Sequence, residues 1–337
     1  GLSLIELLIA MVLGLSLAAG VVQIYVGNST TERSQEARAR LQDNGRFALN
    51  FLAQEVRMGG YLGCLSGIDE DTVNNTFTAP PNSFQPESGI QGWEADGTDF
   101  GTISNSVNNV AVVDTDDGGW GTAGGNILPS INAVPGSDIA RIWSAAGTPA
   151  IIRSVTQGIP EPVINIDTIP DLQEGDILLL SDCDQADWVQ ACEIDPVGGG
   201  ATSDITLAPA SGDCSPGNTN NSPITVAPGG EAVRLEGTLL YVGKRGNTAT
   251  NTPALFRHQL GDDATPGASE ELIEGVENMQ IVYGVNLDSD SRNTVDTYLA
   301  ADLITDWRAV ISVRISLLMQ SVEDGIVPAA QAYTYMG

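Results

Sequence analysis

The alternation of apolar and polar positions divides the chain into three parts. Residues 1–26, GLSLIELLIAMVLGLSLAAGVVQIYV, are almost uniformly apolar and carry one charge, Glu6. That length and composition predict a membrane-length helix. Helical periodicity then runs on without a break to about Met58. Ala37, Leu41, Ala48, Leu52 and Val56 recur at spacings of four or near multiples, with Phe47 and Phe51 alongside, giving an apolar stripe on a charged rod. At 1.5 Å per residue the whole helix reaches about 85 Å, longer than any bilayer, so its second half must leave the membrane as a stalk. Gly14, Gly20, Gly27 and Gly45 interrupt the pattern; those in the apolar half allow close helix packing or local melting inside an assembly, and Gly59-Gly60 stops the helix.

Beyond Gly59 the pattern changes to short apolar runs separated by Asn, Asp, Gly, Ser and Pro. The runs predict strands at 109–114, 138–143, 150–155, 163–166, 176–181, 204–207, 232–235, 238–242 and 254–258, and further β structure over 270–283 and 309–320. The expected fold is α+β, a long N-terminal helix packed on a β-rich head. Residues 1–27 form its apolar half, 28–58 the amphipathic stalk and 59–337 the head. No repeat or linker marks a second independent domain.

Glu6 is the most informative residue. An acid inside a membrane-length helix costs several kcal/mol unless something pairs with it, so it signals function. A cleaved secretory leader fits poorly, because no Lys or Arg precedes the run and no A-x-A-like site follows it. The segment is therefore expected to stay in the mature protein.

Charge sharpens the division. The chain carries a formal charge of −29. Between Gly27 and Met58, Glu32, Glu36, Asp43 and Glu55 are offset by Arg33, Arg38, Arg40, Arg46 and Arg57, so the excess acid lies in the head. A head this acidic, with Lys244 as the single lysine, argues against nucleic acid as a partner of this chain alone, since affinity for phosphate needs clustered Lys and Arg.

Cys64, Cys183, Cys192 and Cys214 form an even set, which reads as two disulfides with three possible pairings. Zinc is disfavoured, because no C-x2-C pair occurs and His258 is the sole histidine. Any Ser-His-Asp or Cys-His arrangement would have to use His258, which lies in an alternating segment where a structural strand position is far commoner, so no enzyme activity is expected. The glycines of Gly119-Trp-Gly-Thr-Ala-Gly124 are spaced as in a dinucleotide fingerprint, yet no helix opens behind them, so they read as a loop. Asn286, Asp288, Asp290 and Asp296 place oxygen side chains at alternating positions, as a calcium loop does. Ser291 and Thr297 stand where an EF-hand has Gly and Glu, which leaves a plain β-turn as the competing reading. No cofactor is required, and calcium is the one candidate.

Gly1-Leu2-Ser3-Leu4-Ile5-Glu6 is similar to the G-[F/L]-[ST]-L-[IV]-E signature of type IV pilins and related pseudopilins. The resemblance implies cleavage by a prepilin peptidase between Gly1 and Leu2, methylation of the Leu2 amine, and Glu6 as the assembly glutamate. The strings RFALNFLAQEVRMGGYLGC, ALFRHQL, ELIEGVENMQIVYGVNLDSDS and DWRAVISVRISLLMQS resemble the PilW type of minor pilin, whereas residues 66–175 match little. This implies a subunit that primes or caps a type IV pilus, held in the inner membrane before assembly and then exposed at the cell surface. Its partners would be other pilin subunits, met through the N-terminal helix. A main repeating subunit or a type II secretion pseudopilin is the alternative, disfavoured by the bulk of the head. The PilW-like blocks cover the Cys64 and Cys183 neighbourhoods, so the resemblance further implies pairing of Cys64 with Cys183 and of Cys192 with Cys214.

Overall fold

The computed structural model describes residues 3–61, 73–77, 88–95, 131, 133–134, 136–158, 161–211, 214–219, 223–244, 252–260, 269–287 and 294–323. One helix, α1, runs from Leu4 to Met58, 55 residues. Ser3 caps it, its hydroxyl accepting from the Glu6 amide while the Glu6 carboxylate accepts from the Ser3 amide, a reciprocal capping box. The Gly59-Gly60 stop is observed at the other end. Gly60 has φ +73 and donates its N–H to the Trp143 carbonyl at 3.0 Å. Facing it, a Cβ at Gly89 would lie 2.6 Å from the Gly60 Cα, so two bare backbones bring the helix end against the sheet.

The described strands are β1 (Val73–Asn75), β2 (Ile90–Trp93), β3 (Ile139–Thr156), β4 (Val163–Asp167), β5 (Ile177–Ser181), β6 (Ala186–Gln190), β7 (Glu193–Val197), β8 (Thr202–Thr206), β9 (Pro209–Ser211), β10 (Cys214–Gly217), β11 (Glu231–Lys244), β12 (Pro253–Leu260), β13 (Ser269–Glu274), β14 (Val276–Val285), β15 (Thr297–Leu299) and β16 (Val310–Met319). Eleven of them form one sheet in the order β1-β6-β5-β11-β3-β4-β8-β7, with β12 and β13 branching from β11 and β2 from β3. Pairing is antiparallel except between β1 and β6. A separate sheet has the order β15-β14-β16. The result is the expected α+β class.

The long strands β3 and β11 form a spine with a core at either end. One core joins Ala48 and Leu52 of the helix to Ile142, Leu240, Leu255, Met279, Ile281 and Tyr283, with Phe51 and Val56 packed against it. The other gathers Ile152, Ile164, Ile166, Leu178, Val189 and Ile205 between β3, β4, β5, β6 and β8. The stalk stripe thus lies on the sheets as its period requires. Phe47 points the other way and is 61% exposed. Further down the stalk, Asn44 Nδ2 donates to the Glu274 carbonyl and Arg40 pairs with Glu323 at 3.1 Å.

Several strand boundaries differ from those read in the sequence. The expected break between 143 and 150 is a bulge inside one strand. Ala146 pairs with Arg234 and Ala150 with Ala232, so the β3 residues between them form a bulge where Gly147 has φ +78 and Pro149 needs no N–H partner. β11 likewise joins two expected strands. The reverse happens over 270–283, where Gly275, φ +84, turns the chain from the large sheet to the small one. A Cβ there would meet the Gln320 carbonyl at 2.7 Å. β6 was not expected, because buried Asp187 and Gln190 hide its alternation. The strand expected at 109–114 and the Gly119–Gly124 loop lie outside the described residues.

The two sheets meet at a stitched joint. The Asp138 amide donates to the Met279 carbonyl at 2.9 Å, and the Met279 amide donates to Ser137 Oγ at 3.1 Å. Asn278 Nδ2 and Gln280 Nε2 both donate to the Gly136 carbonyl. β15 pairs with only residues 283–285 of β14, and the 136–138 turn occupies the same strand over 278–281.

Candidate functional site

The site singled out by the sequence is the N-terminal half of α1. From Leu4 to Val26 its side chains are exposed: Leu4 79%, Leu15 71% and Leu17 74%. This stretch is long and apolar enough to cross a membrane. A water-soluble helix of this composition would bury one face, so this half requires an apolar environment outside its own head. A Cβ added at Gly14, Gly20 or Gly27 would meet nothing within 4 Å, so the packing these glycines permit is not used within the chain.

Glu6 lies in the first turn of this surface. Its Oε2 accepts from the Ser3 N–H at 3.0 Å, and a carboxylate at that place also favours the positive end of the helix dipole. The chain thus meets part of the carboxylate's need itself and leaves the residue exposed. Gly1 and Leu2 lie outside the described residues.

The described cysteines, Cys183, Cys192 and Cys214, lie among the strands of the head. Cys192 and Cys214 form a disulfide with Cα atoms 4.9 Å apart. Around it, the Gln190 side chain donates to the Gly175 carbonyl and accepts from the Gly217 amide, and Asn218 Nδ2 donates to the Gln190 carbonyl at 2.8 Å. Cys183, also disulfide-bonded, sits at φ +74 in the β5–β6 connection, while Cys64 lies outside the described residues.

Of the calcium candidates, Asn286 and Asp296 are described, whereas Asp288 and Asp290 are not. Asp296 closes the base of the loop, its Oδ2 accepting from the Leu287 amide at 2.7 Å and its own amide donating to the Val285 carbonyl at 3.0 Å. Among the described residues no group of three or more His, Cys, Asp or Glu could hold a metal ion. His258 is buried on β12, with Nδ1 2.8 Å from Ser269 Oγ, its cross-strand partner. Burial holds its pKa below the usual imidazole value.

The sequence did not single out the buried acids. Asp187 accepts from Asn74 Nδ2, the Thr225 hydroxyl and the Thr225 and Val226 amides, which fastens residues 225–226 to β6. Asp138, 2% exposed, accepts from the Ala95 and Ile281 amides at 3.1 and 2.7 Å. Burial is the main force lifting its pKa to about 7, against those two hydrogen bonds. A polar residue after Gly136-Ser137 reads as a turn, and only the tertiary partner gives it away.

Residues 240–337, from within β11 onward, match a family model described as Type IV Pilus-assembly protein W. No curated protein and no solved structure matches the chain. The matched region includes the whole β14–β16 sheet and three of the four PilW-like strings, and that match supports a PilW-type protein of the type IV pilus.

Proposed function

We propose that this chain is a structural, non-enzymatic subunit of the pilus, a PilW-like minor pilin present in few copies that primes or caps the fibre. The observation that carries this reading is the exposed apolar half of α1 with Glu6 as its one charge. In a membrane that half satisfies its backbone as a helix and its side chains as lipid contacts; in a fibre, neighbouring helices replace the lipid. Processing would cut between Gly1 and Leu2 by a prepilin peptidase and methylate the Leu2 amine. Glu6, exposed beside its Ser3 hydrogen bond, then accepts the α-amine of a neighbouring subunit, which neutralises two charges that neither lipid nor helix core tolerates alone. The acidic head supports the surface location, because a highly charged domain resists nonspecific association.

Copy number tests this reading. Filaments sheared from cells should contain this chain far below the main subunit, and cells lacking it should carry fewer fibres. Parity with the main subunit would make it the repeating unit instead. Its absence from filaments, together with loss of type II secretion, would make it a pseudopilin.

A further inference from the structure

An open sheet edge leaves a row of N–H and C=O groups ready to pair with another chain, and folded proteins keep such edges short, charge them or break them with proline. β1 and β15 are three residues long, β7 carries Glu193, Asp195 and Pro196, and β13 carries Glu270, Glu271 and Glu274. β16 has none of these features. Its ten residues, VISVRISLLM, contain no proline or lysine and one charge, Arg314. Among the described residues it pairs with β14 alone, and none of its residues is buried, whereas nine of the ten in β14 are.

The joint between the sheets fixes which groups of β16 are open. In an antiparallel pair, backbone groups point to the partner strand at alternate residues. On β14 the Met279 and Ile281 amides and the Met279 carbonyl are turned to residues 137–138, so Asn278, Gln280 and Val282 are the ones that bond to β16. Their partners are Leu318, Ser316 and Arg314. Val313, Ile315 and Leu317 therefore turn their N–H and C=O to the open side, while their side chains pack on the core that holds Ala48 and Leu52 of the stalk.

Arg314 lies in the middle of that edge on the opposite face. Tyr298 of β15 reaches across Gly284, its hydroxyl 3.3 Å from Ser312 Oγ, and exposed Arg314 lies over the Tyr298 ring at 4.2 Å. Arg153, Arg234, Arg257 and Arg308 of the head each pair with an acid, whereas Arg314 has no carboxylate partner among the described residues. A cation held in place at an open edge complements an acid on an incoming strand. A second copy of β16 offers none, since on that face it presents Ser312, Arg314, Ser316 and Leu318.

We propose that β16 is a docking edge that takes an extended segment of a different subunit as a further strand, apolar on the face toward the stalk and with an Asp or Glu opposite Arg314. Ladder hydrogen bonds to Val313, Ile315 and Leu317 hold the segment, and the acid sets its register. That the other subunit belongs to the pilus rests on the function proposed above; the chemistry of the edge does not.

Photocrosslinking in cells that assemble the pilus tests this, with p-benzoylphenylalanine placed either at Ile311, exposed at one end of β16, or at Leu8 in the apolar half of α1. The Ile311 probe should crosslink to one segment of a different protein, mapped by mass spectrometry, with alternate apolar residues and an acid. Arg314→Glu, at an exposed position, should lower that yield about tenfold, and changing the mapped acid to Arg should restore it. No crosslink at Ile311, a crosslink there to a second copy of this chain, or a yield indifferent to Arg314→Glu would overturn the docking edge. The Leu8 probe separates the two readings: crosslinks from it to other pilins would leave the pilus assignment standing when the edge fails, and their absence beside an intact Ile311 crosslink would count against that assignment alone.

Discussion

The two halves of α1 share one backbone geometry and have opposite surroundings. Between Leu4 and Val26 the large side chains stay exposed; between Ala37 and Val56 every third or fourth residue is at least half-buried against the head. The difference lies in composition rather than in helix propensity. The second half has a stripe with a polar back and needs one partner surface, which β3, β13 and β16 provide. The first half is apolar all round and needs a surrounding solvent of apolar groups. A helix built this way leaves its first half without a partner surface in its own chain.

The largest effect that could break this comparison comes from removing the first half. A chain beginning at Ser29 should lose membrane association entirely yet remain soluble under oxidising conditions, because both described cores lie beyond that point. An insoluble product would show that the halves are not separable. Within the full chain, Leu52→Ala should lower unfolding stability by about 2–5 kcal/mol in a denaturant titration, whereas Leu8→Ala, already exposed, should leave it unchanged. Equal losses would remove the distinction.

Smaller effects come from the head itself. Replacing both Cys192 and Cys214 by Ala removes a crosslink with a sequence separation of 22 and should cost about 3 kcal/mol in the same titration. Peptide mapping of a nonreduced digest checks the pairing itself, and a Cys183–Cys192 peptide would contradict it. If the loop from Asn286 to Asp296 takes calcium, millimolar calcium should raise the melting temperature of the full chain in detergent, and Asp296→Asn should reduce the rise. An unchanged melting temperature would assign the loop to an ordinary turn.

The sequence showed most clearly what a single local period encodes. The helix was legible almost to the residue, because the apolar run and the stripe ending at Val56 leave one interpretation and Gly59-Gly60 closes it. Strands were legible wherever an apolar run had polar flanks, as in β4, β5, β12 and β16. Their joining was not, because a bulge at Gly147-Thr148-Pro149 and a corner at Gly275 look alike in sequence: each is a glycine among strand residues, and only the partner strands decide whether the chain continues or turns. Glu6 stood out as one charge among twenty-six residues, an unambiguous contrast. Asp138 did not, in a head crowded with acids, since its role comes from Ala95 and Ile281, more than forty and a hundred and forty residues away.

The most direct test of the division is to follow the wild type and Glu6→Ala through membrane fractions and sheared filaments. Removing the acid makes the apolar half more apolar, so both chains should reach the membrane equally. Only the wild type should enter fibres at its normal level, because the variant cannot receive the neighbouring amine. Normal incorporation of Glu6→Ala would contradict the account, leaving the carboxylate as nothing more than the partner of Ser3 in a helix cap.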